Sequence, residues 1–140
     1  MALARSLMHR MSQRVPMQYS ATVLKHFRKP SNVGRLDDAN AVGQAGAPGQ
    51  GNYMLLNLRI EGSRIVKAAF QTFGCPAAIA SGSMLTELVT GATIEDATRI
   101  TGKTVLEALE YLPFGREQCA DLAAGALRDA LSHYTGACSR

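Results

Sequence analysis

The stretch from Tyr53 to Phe73 constrains the fold more than any other part of the chain. Met54, Leu56, Leu58 and Ile60 fall on one side of an alternating run, with Tyr53, Asn57 and Arg59 on the other. A period of two marks a half-buried strand. Glu61-Gly62-Ser63 supplies a turn, and Ile65–Phe73 returns as an antiparallel partner. Such a hairpin has one apolar face to cover, and the rest of the chain offers helices for it. Ser20 caps a short helix over Ala21–Arg28, ended by Lys29-Pro30. A second helix runs from about Pro76 to Thr90 and stops at Gly91. Thr93-Ile94-Glu95-Asp96 reads as a helix start with acidic residues in its first turn, and a further helix covers roughly Lys103–Tyr111. In the last helix Ala123, Ala126, Leu127, Ala130, Leu131 and Tyr134 recur with the spacing of one buried face. Ser31 to Gly51, rich in Gly, Ala, Asn and Asp, reads mostly as loop. A hairpin followed by helices predicts an α+β domain, a small antiparallel sheet packed on one face by helices.

The returning strand ends in Gly74-Cys75-Pro76, where a helix begins at once. Proline suits a first helical position, because its missing N–H would have had no partner there. The Cys75 sulfur is thereby expected beside the free N–H groups of a helix N-terminus, a place that favours a thiolate. A thiolate so placed suits metal binding or sulfur acceptance.

Composition sets the outer limits. With 140 residues, 46% of them hydrophobic and 19% charged, the chain is long enough for one domain with a real core and too short for two. No apolar run reaches the length of a membrane span. The net charge of +4 is uneven: no acidic residue precedes Asp37, and Arg5, Arg10 and Arg14 lie in the first sixteen positions. Without those three the remainder is nearly neutral, and no stripe of basic and aromatic residues points to nucleic acid. Residues 1–16 therefore read as a basic, disordered extension, residues 17–136 as the single domain, and 137–140 as a tail. A disordered extension with Met17 as the working start, or a short mitochondrial presequence, are the two readings of the first segment. Three cysteines do not make a secreted disulfide framework, so a reducing, cytoplasmic-type compartment is expected, or the mitochondrial matrix if residues 1–16 are a presequence.

Cys119 also lies just before a helix, the last one. Spacing alone leaves two possibilities open: Cys75 and Cys119 converge at one end of the domain, or each is a small buried core residue. Cys138, close to the C-terminus, reads as a frayed residue. His9, His26 and His133 are scattered, none in a metal-ligand spacing, and read as surface or packing residues.

From Tyr19 to about Tyr134 the chain resembles the NifU/IscU-type iron–sulfur cluster assembly scaffolds. The resemblance is carried by Tyr19-Ser20, His26-Phe27, Pro30-Ser31-Asn32-Val33-Gly34 and Gly46-Ala47-Pro48, then by Gly51 with Met54. It continues through Phe73-Gly74-Cys75, Ala78-Ile79-Ala80-Ser81-Gly82-Ser83, Leu112-Pro113 and Cys119, in the family's order and spacing. The resemblance implies a NifU/IscU-like α+β fold and a non-catalytic scaffold. It also implies a pocket of three cysteines and an aspartate, with a histidine beside the last cysteine, holding a nascent [2Fe–2S] cluster or zinc. Cysteine desulfurase and cluster-accepting apoproteins are the partners it implies. No nucleophile–base pair or carboxylate dyad suggests catalysis.

The match is incomplete where it matters. The family's first cysteine is here Gln50, its aspartate Asn52 and its histidine Gln118, leaving Cys75 and Cys119. Carboxamides carry neither a thiolate's charge nor an imidazole's basic nitrogen, and cluster and zinc sites normally take four donors. Three readings follow: a homodimer in which each copy lends Cys75 and Cys119 to one [2Fe–2S] cluster or iron, ahead of zinc; a persulfide acceptor without metal; and a metal-free interaction module of the assembly machinery. The Leu-Pro-Pro-Val-Lys segment that a chaperone reads in the IscU branch is Leu112-Pro113-Phe114-Gly115-Arg116 here, so recognition in that mode is not expected.

Overall fold

The computed structural model describes residues 19–47, 49, 51–113 and 115–134. The N-terminal extension with His9, the residues after 134 with Cys138, and Pro48, Gln50 and Phe114 lie outside the described residues. In chain order the elements are α1 (Ala21–Arg28), β1 (Ala41–Gly46), β2 (Tyr53–Glu61), β3 (Arg64–Phe73), α2 (Pro76–Val89), α3 (Ile94–Thr98), α4 (Gly102–Ala108) and α5 (Gln118–Ser132).

The strands form one antiparallel meander, β1-β2-β3. The apolar side of β2, namely Met54, Leu56, Leu58 and Ile60, is buried against helices, as alternation requires. Helix α5 lies across β1 and β2, while α2 covers β3 and touches α1, α5 and α4. The α+β architecture is thus the expected one, helices packed on one face of a small sheet.

One strand escaped the reading of 31–51 as loop. Strand β1 pairs with β2 from Ala41↔Leu58 to Gly46↔Tyr53. Its sequence, Ala-Val-Gly-Gln-Ala-Gly, has one β-branched residue, so propensity gives little signal. The reason is contact with α5: a Cβ on Gly43 would lie 2.1 Å from the Ala130 nitrogen and 2.5 Å from the Ala126 carbonyl oxygen. Helix and strand backbones touch there, and nothing larger fits. Helix α4 also stops earlier than expected, at Ala108 rather than Tyr111.

Helix α2 is buried on nearly all sides, from Ala77 through Val89. Its polar side chains are satisfied internally. Ser81 and Thr86 donate to the carbonyls of Ala77 and Ser83 at 2.7 Å each, and Ser83 Oγ pairs with His26 Nδ1 at 2.6 Å. His26, only 4% exposed, is therefore a packing residue of α1, as expected. Gly82 admits the ring of Phe70, whose Cδ2 would lie 2.4 Å from a Cβ added there. This wrapped helix is the platform on whose first residue the candidate site rests.

Candidate functional site

Cys75 is the N-cap residue of α2 and Pro76 follows inside the first turn, as the Gly-Cys-Pro pattern foretells. The Cys75 carbonyl accepts from Ala78 and Ile79 N–H at 2.9 and 3.2 Å, which anchors the turn that carries the sulfur. Cys119 occupies the first turn of α5. The two helices pack against each other with their starts at one end of the domain. Their sulfurs lie 3.7 Å apart. Convergence, left open by spacing, is what the fold produces.

The pair is asymmetric. Cys119 has no exposed surface, whereas Cys75 is half-buried. Burial, then the negative charge and hydrogen bond of Cys75, push the Cys119 thiol up to about 12, against the lowering influence of Arg116. A helix N-terminus alone would act the other way; here desolvation and a neighbouring like charge outweigh it.

Two further residues frame the pair. Asn52 donates from Nδ2 to the Cys119 sulfur at 3.3 Å. It reaches in because residue 74 is glycine: a Cβ at Gly74 would lie 2.5 Å from Asn52 Oδ1. Tyr19 packs at the edge of the core, and burial together with the charge of Cys75 raises its phenol, keeping it a neutral hydroxyl. Sequence reading did not single out Tyr19 as a site residue, although Tyr19-Ser20 was among the matching motifs. Gln118 is exposed on the first turn of α5, beside Cys119 in the chain.

A four-donor site is not completed by these residues. An amide nitrogen has no lone pair for a metal, and among the described residues no group of three or more His, Cys, Asp or Glu side chains is placed to hold an ion. Two donors do fit. Sulfurs bound at about 2.3 Å to one tetrahedral ion stand about 3.8 Å apart, close to the 3.7 Å found.

An α+β domain that brings two thiols together at paired helix starts, with the Asn52 amide against one of them, is the class that fold and site define. The NifU-like N terminal domain model matches residues 18–139, and the chain belongs to that family. It is 47% identical over 116 residues to the iron–sulfur cluster assembly scaffold protein IscU 1 of Archaeoglobus fulgidus, covering 83% of this chain and 76% of that one. It is 43% identical over 119 residues to the IscU scaffold protein of Aquifex aeolicus, covering 84% and 76%. Among solved structures, a candidate SUF-system assembly scaffold from Fervidobacterium islandicum aligns with a TM-score of 0.66 at 20% identity, covering 84% of this chain and 98% of that one, a likeness of fold alone. Among the described residues no helix is long and apolar enough to cross a membrane.

Proposed function

We propose that the protein is a scaffold of iron–sulfur cluster assembly that holds half of a site. Cys75 and Cys119 of one chain supply two sulfurs to iron or a [2Fe–2S] cluster carried as cargo, and a second copy supplies the other two. The observation that carries this reading is the 3.7 Å sulfur separation, the edge of a tetrahedral thiolate site. The surface beside the pair suits a second copy. Phe73, two residues before Cys75, is 71% exposed and stacks on Tyr53 with ring centroids 6.4 Å apart. Together with Val33, Leu55, Gln71 and Thr72 they line a shallow hollow that is more apolar than polar. Sulfur would come from a cysteine desulfurase and the finished cluster would pass to apoproteins, in a reducing compartment. On this reading the chain positions cargo and is not itself a catalyst.

Anaerobic reconstitution with ferrous iron and inorganic sulfide tests it. The full chain should develop the visible absorption of a [2Fe–2S] cluster and elute as a dimer with one cluster per two chains. Cys75→Ser and Cys119→Ser should each abolish both. Absence of chromophore and of bound zinc from the parent protein would sink the metal reading.

A further inference from the structure

The scaffold reading leaves one feature of the thiols unused: only one of them can be reached from outside. Cys75 is half-buried, while Cys119 is fully enclosed and meets solvent nowhere. An incoming sulfur donor therefore encounters Cys75 first, with Cys119 shielded from it. Disulfide sulfurs stand about 2.05 Å apart, so the present 3.7 Å gap closes if each sulfur moves by under about 1 Å. Asn52 at the Cys119 sulfur is neutral where a carboxylate would repel an anionic donor. Arg116 adds a cation close enough to act on both Cys119 and Tyr19.

We propose that the Cys75–Cys119 pair is a built-in two-electron reductant that turns a sulfane sulfur delivered to Cys75 into sulfide. This rests on the reading that the pair receives sulfur for cluster assembly, and it adds where the electrons come from. In the first step Cys75 attacks the outer sulfur of a persulfide, R–S–SH; the S–S bond of the donor breaks, R–SH departs, and Cys75 becomes Cys75–S–SH. In the second step Cys119 attacks the inner sulfur of that group. A Cys75–Cys119 bond forms, the bond to the outer sulfur breaks, and the Cys119 proton leaves with it as hydrogen sulfide. The sulfane sulfur gains two electrons and the two cysteine sulfurs lose one each, so the step balances without an outside reductant. A new round then requires an external dithiol to reopen the disulfide.

Glutathione persulfide serves as the probe. The full-length reduced chain, freed of small thiols and held under anaerobic conditions, should release one sulfide per chain and then stop. Intact mass should fall by two hydrogens, with peptide mapping placing a disulfide between Cys75 and Cys119. Dithiothreitol should permit a second equivalent burst. Cys119→Ser should instead accumulate one extra sulfur on Cys75 and release sulfide only at the level of the Cys75→Ser, Cys119→Ser double variant. A parent protein that keeps the extra sulfur with Cys119 free and releases no sulfide would overturn the proposal; so would equal sulfide release from Cys119→Ser. Parent-chain mapping alone decides if the variant does not fold. Reconstitution from inorganic sulfide needs no sulfane reduction, so the two ideas fail separately. A cluster formed there without sulfide release here rejects the reductant, and the converse rejects the metal half-site.

Discussion

Gly43→Val is expected to cost more than about 3 kcal/mol and to lower the unfolding midpoint by roughly 10 °C or more. The added Cβ would lie 2.1 Å from the Ala130 nitrogen, 2.5 Å from the Ala126 oxygen and 2.6 Å from the Ala130 Cα. All three are backbone atoms of α5, so no side chain can rotate away; the helix must lift from β1. Because α5 also carries Cys119, the lift would separate the two sulfurs, and rates of Cys119 alkylation should rise along with the loss of stability. Gly125→Ala is the matched control. On the same helix, its Cβ would meet only the Ala45 Cβ at 3.6 Å, an ordinary contact, and a mid-helix alanine adds up to about 1 kcal/mol over glycine. Thermal unfolding of the two variants checks both signs. A Gly43→Val midpoint indistinguishable from the parent's would contradict the close approach.

The second large effect is a gain. The variant combining Gln50→Cys, Asn52→Asp and Gln118→His should bind zinc or a cluster within a single chain, one ion per monomer retained through gel filtration. Asn52 already touches the Cys119 sulfur and Gln118 opens α5 beside it; Gln50 is chosen because the family resemblance implies a cysteine at its position. Four-donor zinc sites are worth about 10–16 kcal/mol in apparent binding energy near neutral pH, far beyond what two thiolates supply. The unfolding midpoint should rise with zinc in the triple variant and scarcely move in the parent. A triple variant that retains no zinc, measured by elemental analysis, would show that the pocket has lost its shape as well as its ligands.

The hairpin, α1 and the start of α2 were legible because their signals are local. Alternation in β2, the Ser20 cap and the Gly-Cys-Pro junction each act within a few residues. Strand β1 was not legible, since its small residues answer to the backbone of α5, which lies far along the chain. The meeting of Cys75 and Cys119 is likewise a product of helix packing that spacing could only leave open. The family resemblance supplied the missing long-range information, both the pocket and the three corners at which this chain departs from it. The raised Cys119 thiol depends on enclosure by neighbours, which no motif encodes.

Cys75 and Cys119 are 44 positions apart and open different helices. Whatever grips both sulfurs, whether an ion, a cluster or a bond between them, closes a loop of that length. Loop-closure entropy assigns about 4 kcal/mol to such a tie, a large share of what holds a domain of this size together. A chain tied in this way should therefore be cut by a protease more slowly than an untied one.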